Sequence, residues 1–547
     1  MPTRGRIQLY IALAAALLFV PGLGAVHLFD WDEINFAEIS REMVVSGDWS
    51  QPQMGFEPFH EKPPLFMWMQ AACMTVFGVG EFAARFPNAI CGILTLLVLF
   101  RIGEQLRGRM FGMLWSLAYI GSILPHLYFR SGIIDPWFNL FIFLGLHAII
   151  TLVHRDPKRQ VGTINARRDV HAWLAGIFLG LAVLTKGPVG ILIPGLVMGV
   201  YWIVGRFKPF MRWQRLGIIA FGTLITVGSW ALVDLARNGP EFMSAFFQRQ
   251  VAMLTTEDAG HGGFFGYHFV VLLIGCFPAS LFALREFFKS TRTNDATEND
   301  HRRWMVILFW VVLILFSIVK TKIVHYSSLC YFPITYLAAL QLERIWRERN
   351  GFGWVRYTIG PVGMVFVIAT IALPIAGNHI EAIKPLFAQD PFALANLDAN
   401  VNWSGLEVIP GILLLAVFGI GHVLYERRSF RASLITVFAG SALFVTSTLF
   451  FFINNIEAYS QRAAVEFFES KAGERCWVMT KGYKSYVPEF YGRVMEATPS
   501  EDVLMNGAID RPVYLSCKIT DADEVRALGS FTGIGNRNGF VFFQREP

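Results

Sequence analysis

Residues 28–68 read LFDWDEINFAEISREMVVSGDWSQPQMGFEPFHEKPPLFMW and form a polar interruption directly after the first apolar segment of the chain. Only 16% of the 547 residues are charged, yet this stretch holds a dense set of carboxylates, namely Asp30, Asp32, Glu33, Glu38, Glu42, Asp48, Glu57 and Glu61. Acids at this density beside apolar segments indicate chemistry rather than simple solvation.

The composition places the chain among membrane proteins. Hydrophobic residues make up 54% and aromatic residues 15% of the sequence, and the mean hydropathy is +0.46. These values lie far outside the usual range of soluble domains. The formal net charge of +6 is too mild to indicate a nucleic-acid partner.

A bilayer core requires about 20 apolar residues per helix, and the chain therefore predicts about thirteen spans. Their expected limits are 7–28, 86–104, 109–129, 133–153, 172–187, 188–204, 216–235, 266–284, 304–319, 328–342, 356–376, 406–424 and 432–453. The first span follows the basic start MPTRGR, and we expect an uncleaved signal anchor there. The predicted fold class is an all-α polytopic membrane protein.

Basic residues predict the orientation of these spans, because cytoplasmic loops are rich in Lys and Arg. With a cytoplasmic N-terminus, the basic connections all fall on the inner side, at 101–109, 154–171, 205–215, 285–303, 343–356 and 425–431. The outward segments are then 29–85, 236–265, 320–326 and everything after Asn454. In a bacterium the outer side of the inner membrane is the periplasm.

Two domains are expected, a transmembrane domain at 1–454, with its first outer loop at 29–85, and a periplasmic α/β domain at 455–547. Within the loop, 33–45 has helical spacing and predicts an amphipathic helix on the outer membrane face, with Glu38 and Glu42 solvated. Residues 62–79 predict an interfacial or partly re-entrant helix. The C-terminal segment predicts a helix over 459–470 and the strands RCWVMT, RPVYLSC and NGFVFF. If Cys476 and Cys517 lie on neighbouring strands, an oxidising compartment would allow a disulfide between them.

Charged groups at the membrane edge are costly, so each is a candidate for function. The outward side carries Asp32, Glu33, His60, Glu61, Lys62, Asp135, Lys186, Arg249, Lys320, Lys322, His325 and Tyr326. Lys and Arg that converge at this level suit a lipid phosphate, and a carboxylate beside them suits a general base. Because phosphate leaves as a stable anion, one base suffices, unlike the paired acids of glycoside hydrolases. The pattern predicts group transfer from a lipid phosphate.

Each candidate also has a plain structural interpretation. Asp32 and Glu33 could start a helix, and Asp135 could cap the fourth span. The lysines 186, 320 and 322 could be anchors that extend to the interface. His60, Glu61 and His325 could bind a divalent metal such as zinc, although their spacing matches no metal motif and favours structural roles. His261, in the sequence AGHGG, could lie on a mobile loop over the substrate.

Five motifs carry a resemblance to a known family. They are DEINFAEISREMVVSGDW at 32–49, HEKPPLFMW at 60–68, DPWF at 135–138, LTKGP at 184–188 and KTKIVHYSSLCYFP at 320–333. In this order they resemble the integral-membrane GT-C glycosyltransferases that use polyprenyl-phosphate sugars. The resemblance is greatest to the bacterial aminoarabinose lipid A transferases and the related protein mannosyltransferase-like group.

The resemblance implies roles for individual residues. Asp32 matches the first-loop base, Asp135 a second essential acid, and Glu33 lies beside the base. Lys62, Lys186 and Arg249 match ligands of the donor phosphate, and Lys320, Lys322 and Tyr326 match the turn that closes over them. Asn35 departs from the pattern, because the aminoarabinose transferases have Arg there, and this weighs against that particular product.

The expected function is transfer of a sugar from a polyprenyl-phosphate donor to a cell-envelope lipid or glycan. One alternative is transfer to a protein hydroxyl with the same class of donor. Another is a transporter or flippase for lipid-linked sugars; the absence of an internal repeat in the sequence weighs against it.

Overall fold

The structure is a computed structural model that describes residues 3–154, 166–255, 263–288 and 293–547. Its helices, numbered in chain order, are α1 Arg4–Phe19, α2 Asp32–Ser46, α3 Leu65–Phe77, α4 Glu81–Arg107, α5 Arg109–Ile120, α6 Ile123–Leu127, α7 Asp135–His154, α8 Ala166–Lys186, α9 Val189–Val204, α10 Trp213–Asn238, α11 Glu241–Thr255, α12 Tyr267–Gly275, α13 Ala279–Phe288, α14 Ala296–Ile318, α15 Tyr331–Glu348, α16 Val355–Asn378, α17 Ile380–Ile383, α18 Pro391–Asn396, α19 Ile409–Glu426, α20 Phe430–Ala458, α21 Arg462–Glu469, α22 Val487–Tyr491, α23 Glu501–Asn506 and α24 Ala522–Ala527. Short 3₁₀ helices cover Tyr128–Arg130, Val324–Cys330, Lys384–Phe387 and Leu406–Val408.

Eight helices of the described residues are long and apolar enough to cross a membrane, or up to ten if each of two bent pairs counts as one span. The chain is therefore a multi-pass membrane protein, but the expected thirteen spans are not confirmed. The segments expected at 7–28 and 188–204 form the shorter helices α1 and α9.

Two expected spans are sharply bent. The segment expected at 109–129 breaks after α5, and its two halves meet at 84°. The segment expected at 266–284 breaks between α12 and α13 at 114°. Pro278 lies in this second break and has no N–H for the hydrogen bond that a continuous helix requires.

Glycines lie at two close helix crossings. A Cβ at Gly103 of α4 would lie 2.6 Å from the Cα of Gly112 in α5, and a Cβ at Gly176 of α8 would lie 2.5 Å from the carbonyl oxygen of Ile219 in α10. Small residues at such crossings bring backbones together, which is how membrane helices gain packing energy without a hydrophobic drive. The second crossing positions α8, whose last residue is the candidate site residue Lys186.

A small sheet lies near the C-terminus, as expected. It consists of β3 Trp477–Lys481, β4 Val513–Lys518, β5 Thr532–Arg537 and β6 Phe540–Arg545, in the order β3-β4-β6-β5. The two-residue strands β1 Gln53–Met54 and β2 Glu57–Pro58 form a separate pair in the first loop. The three predicted strands correspond to β3, β4 and β6, with β3 parallel to β4. The exposed strand β5, which contains two glycines, was not predicted.

The possible disulfide between Cys476 and Cys517 is not formed in this fold, where both thiols are free. The two cysteines do lie on neighbouring strands. However, Lys481 pairs with Cys517, and Cys476 precedes the other end of β3, so the two cysteines are about 16 Å apart along the strands. A disulfide requires Cα atoms within about 7 Å.

Helix α2 is buried on nearly all sides and does not lie open on the membrane face, which corrects the amphipathic expectation. One side packs through Ile34 and Ala37 against Val487 and Phe490 of the C-terminal segment. The other side packs against α3, with Phe36 among the contacts. The helix is therefore held between the membrane bundle and the C-terminal sheet region.

Burial of α2 also overturns the expectation that Glu38 and Glu42 are solvated, since both are fully buried. Glu38 forms a two-pronged ion pair with Arg41. Glu42 accepts the N–H groups of Gly55 and Phe56 at 2.6 and 2.8 Å. Burial first, and the Glu38 carboxylate next, raise the pKa of Glu42 to about 8.

These buried acids predict a pH dependence of stability. Burial also raises the pKa of Glu489, in α22, to about 8. Between pH of about 5 and 8 the folded protein holds protons that the unfolded chain has released, so the free energy of unfolding should fall as the pH rises. We expect the melting temperature in detergent to decrease over this range and Glu489→Gln to flatten the decrease.

The matched control is Glu496→Gln, because the Glu496 side chain is 58% exposed and forms its ion pair with Arg511. This variant should keep the slope of the wild type. A wild-type melting temperature that does not change with pH, or an unchanged slope in Glu489→Gln, would show that these acids are not protonated in the fold.

Candidate active site

Most predicted site residues line one cavity of about 1080 Å³. Segments far apart in sequence contribute to it: the loop after α1, the start of α2, the start of α7, the end of α8, α11, and the turn before α15. The predicted residues on its wall are Asp32, Glu33, Glu61, Lys62, Asp135, Lys186, Arg249, His325 and Tyr326. The volume is at the upper end for a small-molecule site.

An ion pair between Asp135 and Lys186 lies in the wall of this cavity. The Lys186 Nζ donates to Asp135 Oδ1 at 2.6 Å, and both side chains are largely buried. Asp135 begins α7 and Lys186 ends α8, so each charge also has the favourable sign for its helix terminus. The Lys186 ammonium lies 5.2 Å from the ring centre of Tyr326. Among the described residues, Asp135 Oδ2 has no hydrogen-bond partner.

His325 lies between the two catalytic candidates. Its Nε2 is 3.4 Å from Asp32 Oδ2 and 3.8 Å from Asp135 Oδ2. Burial lowers the pKa of His325, while the Asp135 charge acts in the opposite direction. The Asp32 side chain remains 44% exposed, so its carboxylate is accessible from the cavity.

The turn that carries His325 is fixed from two sides. Ser328 donates its hydroxyl to the His325 carbonyl and accepts a hydrogen bond from Asn139 of α7 at 2.7 Å. This contact ties the 3₁₀ turn to the helix that presents Asp135. His325 was only a weak candidate from sequence, and no spacing rule would have placed it between two acids.

Three cations face the same space from different segments. Arg249 donates to Glu61 Oε1 at 2.9 Å, and Lys62 and Lys186 are the other two. Burial and the nearby positive charges of Lys186 and Arg249 lower the pKa of Lys62, while Glu61 and Asp32 oppose the change. A bound anion would relieve both the repulsion and the desolvation of these cations.

Glu33 lines the cavity like its neighbour Asp32, but its carboxylate has a different setting. Its two oxygens accept hydrogen bonds from Arg85 at 3.0 and 2.8 Å and from the backbone N–H groups of Phe29 and Gly132. Arg85 also donates to the carbonyls of residues 23, 26 and 27. Through these contacts the Glu33 carboxylate joins the first loop to the turn before Asp135.

The two lysines of the KTK motif do not line the cavity, contrary to expectation. Lys322 Nζ donates to the carbonyls of Ser317, Val319 and Phe316, which are the unpaired groups at the end of α14. Lys320 is exposed, outside the cavity wall. From the same motif, Ile323, His325 and Tyr326 do line the cavity.

The metal candidates are not gathered at one point. The His60 ring packs 5.1 Å from the ring of Phe242, and Glu61 pairs with Arg249. Across the described ranges, no three His, Cys, Asp or Glu side chains are placed to hold a metal ion. His261 falls outside the described residues.

The C-terminal segment contributes wall residues that the sequence did not indicate. Lys484 and Tyr486 line the cavity together with Asp30 and Trp31 of the first loop. Trp31 Nε1 donates to the Lys484 carbonyl at 2.9 Å, and Asp30 Oδ1 accepts the N–H of Tyr486 at 3.3 Å. In a polar segment such residues are common, so no composition signal marks them.

Sequence comparisons extend over much of the chain. The family profile described as dolichyl-phosphate-mannose-protein mannosyltransferase matches residues 61–230. An undecaprenyl phosphate-alpha-4-amino-4-deoxy-L-arabinose arabinosyl transferase of Pectobacterium carotovorum is 26% identical over 69% of this chain and 67% of its own length. The enzyme of the same name from an Enterobacter species is 28% identical over 70% of this chain and 69% of its own.

Structural comparison covers nearly the whole fold. ArnT from Cupriavidus metallidurans bound to undecaprenyl phosphate has a TM-score of 0.76 and 20% identity, covering 99% of this chain and 98% of that one. The oligosaccharyltransferase AglB from Archaeoglobus fulgidus is more distant, with a TM-score of 0.51, 11% identity, and coverage of 98% and 74%. At these identities the likeness shows the fold alone.

Sequence and fold comparisons together confirm the resemblance predicted from the five motifs. The membrane bundle with its small C-terminal sheet has a GT-C fold. The sequence is similar to the aminoarabinose transferases and, over residues 61–230, to the protein mannosyltransferase profile, and these likenesses indicate a glycosyltransferase.

Proposed function

We propose that this GT-C glycosyltransferase transfers a sugar from a polyprenyl-phosphate donor to a hydroxyl or phosphate group of a cell-envelope lipid or glycan. The observation that carries the proposal is the shared cavity, in which Asp32 and Asp135 face Lys62, Lys186 and Arg249. The names of the sequence relatives, which specify an undecaprenyl phosphate-linked sugar, support the same class of donor.

The cavity has an apolar part that suits the donor tail. Its wall there is formed by Leu127 of α6 and by Leu449, Phe450 and Ile453 of α20. Phe450 is 71% exposed and faces the region that lipid chains would occupy. A polyprenyl tail would lie along this apolar wall, with its phosphate on the three cations.

The proposed reaction is a single displacement. The acceptor oxygen bonds to the anomeric carbon while the bond from that carbon to the phosphate oxygen breaks. Polyprenyl phosphate leaves with the electron pair, and Lys62, Lys186 and Arg249 offset its charge. The proton of an acceptor hydroxyl passes to the Asp32 carboxylate and then to water. Inversion at the anomeric carbon is expected.

We also propose the orientation predicted from the basic loops. The N-terminus is cytoplasmic, and the cavity and the domain formed by 455–547 face the periplasm. Lys484 and Tyr486 on the cavity wall support this arrangement, since the C-terminal domain and the active site must then be on one side.

Removal of the Lys186 charge should weaken donor binding. Lys186→Gln loses one charge-assisted contact to the phosphate and leaves the buried Asp135 without its partner. We expect the affinity of the purified protein for undecaprenyl phosphate to fall by about 10–100-fold. Lys320→Gln is the matched control, because Lys320 is exposed and outside the cavity wall, and its affinity should equal that of the wild type. Equal affinities in all three proteins would contradict the phosphate site.

A protein hydroxyl remains the second candidate acceptor, favoured by the match of residues 61–230 to the mannosyltransferase profile. The two candidates separate when membranes that contain the protein receive a radiolabelled polyprenyl-phosphate sugar. Label extracted with chloroform and methanol in a new lipid supports the lipid acceptor. Label that stays with protein after extraction and is released by β-elimination contradicts it in favour of protein Ser or Thr.

A further inference from the structure

A second, smaller cavity of about 410 Å³ lies next to the first. The first loop, α18, α21, the loop after β3, and the strands β4 and β6 all contribute to its wall. Its size is within the range of small-molecule sites. Asp30, Trp31 and Lys484 line both cavities, so the two spaces are separated by the Trp31 side chain and its neighbours.

The wall of the smaller cavity carries a positive group, the Lys518 ammonium. Lys518, at the end of β4, is half-buried, and no carboxylate of the described residues lies within ion-pair distance of its Nζ. The ammonium lies instead 4.9 Å from the ring centre of Phe392 and 5.8 Å from that of Tyr483. These rings attract the ammonium and hold it in position, but neither neutralises its charge.

The aromatic rings around the Lys518 ammonium are packed together in the cavity wall. Phe392 and Phe540 meet edge to face with ring centres 5.2 Å apart, and Tyr483 packs against Phe540 at 5.8 Å. The Tyr483 hydroxyl bonds to Ser516 at 3.1 Å, which fixes its ring. Rigid rings of this kind suit the C–H faces of a sugar. The Lys518 ammonium lies among these rings, and Asp30 in the same wall can accept hydrogen bonds from sugar hydroxyls. This combination suits an anionic carbohydrate.

The segment that carries Phe392 is tied to the sheet. Asn396 Oδ1 accepts the N–H of Gly539 at 3.2 Å, and a Cβ at Gly539 would lie 2.6 Å from the Phe392 ring. Glycine at 539 is therefore required for α18 to close this side of the cavity. The binding surface is built from segments more than 100 residues apart and does not arise from a single loop.

We infer that the smaller cavity is an acceptor subsite that binds a phosphorylated sugar, with the Lys518 ammonium on the phosphate and the Phe392 and Tyr483 rings against the sugar. The inference rests on the proposed function and names the class of its acceptor, an anionic carbohydrate. Trp31, which is 39% exposed, lies between this subsite and the first cavity. A hydroxyl of the bound sugar would reach Asp32 past the edge of the Trp31 indole.

Ligand-observed NMR with the full-length purified protein tests the subsite directly. The probe is glucose 1-phosphate, and saturating undecaprenyl phosphate keeps the phosphate site of the first cavity occupied. We expect glucose 1-phosphate to bind the wild type and Lys518→Gln to weaken that binding about tenfold, the loss of one charge-assisted contact. Methyl glucoside, which lacks the phosphate, and inorganic phosphate, which lacks the sugar, should both bind more weakly than the combined probe.

Lys481→Gln is the matched control, because Lys481 lies in the adjacent strand β3, pairs with Glu501 and lines neither cavity. Its affinity for glucose 1-phosphate should equal that of the wild type. Any of three results would overturn the inference. Lys518→Gln could bind glucose 1-phosphate as tightly as the wild type does, or methyl glucoside could bind as tightly as glucose 1-phosphate. The third is a Ser/Thr peptide that binds more tightly than glucose 1-phosphate and loses affinity in Lys518→Gln. This readout does not depend on catalysis, so failure of the proposed transfer reaction is detected separately by the release of polyprenyl phosphate.

Discussion

Asp32→Asn is expected to lower the rate of sugar transfer by about 10²–10⁴-fold, the usual contribution of a general base. Asparagine keeps the size of the side chain but cannot accept the proton of the acceptor hydroxyl. The proposed phosphate ligands are three cations and do not include Asp32. The affinity for undecaprenyl phosphate should therefore stay near that of the wild type. Transfer rates with saturating donor, together with donor affinity, measure the two effects separately.

Glu57→Gln is the control for this variant. Glu57 lies in the same first loop but is exposed on β2 and does not line the cavity. It should transfer sugar at the wild-type rate. Near-normal transfer by Asp32→Asn would contradict the assignment of the base, whereas an equal loss in both variants would indicate damage to the loop. An ionised phosphate acceptor carries no proton to remove, so a loss of the expected size also favours a hydroxyl acceptor.

Arg85→Met should destabilise the fold by about 3–5 kcal/mol, because it leaves the buried Glu33 carboxylate without its partner. Both side chains of this pair are 7% exposed. Arg85 also satisfies three carbonyls of the loop after α1, so their hydrogen bonds are lost as well. We expect a clear drop in the melting temperature of the detergent-solubilised protein.

Arg101→Met on the same helix, α4, is the matched control. The Arg101 side chain is 39% exposed and pairs with Glu104, an interaction worth about 1 kcal/mol or less. Adding Glu33→Gln to Arg85→Met removes the uncompensated charge and should restore part of the stability. If both arginine variants melt alike, or if the second substitution restores nothing, the pair does not hold the first loop in place.

The membrane helices followed from hydropathy, but their bends and exact number did not. An apolar run of 20 residues has the same composition whether it continues or turns, and the breaks at 84° and 114° depend on how neighbouring helices pack. The burial of α2 was missed for a related reason. Its polar residues look solvated in sequence because the surface that covers them, around α22, lies more than 400 residues away.

The charged candidates followed from the cost of charge at the membrane edge. That cost applies equally to Lys186, which lines the cavity, and to Lys322, which caps α14, so it cannot separate binding from structural roles. Only the partners of each group distinguish them. In the polar C-terminal segment charge carries no such cost, which is why Lys484 and Lys518 were not recognised from sequence.

The most direct test of the central claim follows both products of the reaction. Purified protein in liposomes receives a polyprenyl-phosphate sugar labelled in the sugar and in the lipid, together with extracted envelope acceptors. We predict that polyprenyl phosphate appears in a one-to-one ratio with glycosylated acceptor, and that Asp32→Asn slows the formation of both by about 10²–10⁴-fold. Movement of the intact donor across the bilayer without release of polyprenyl phosphate would contradict the account and indicate a transporter.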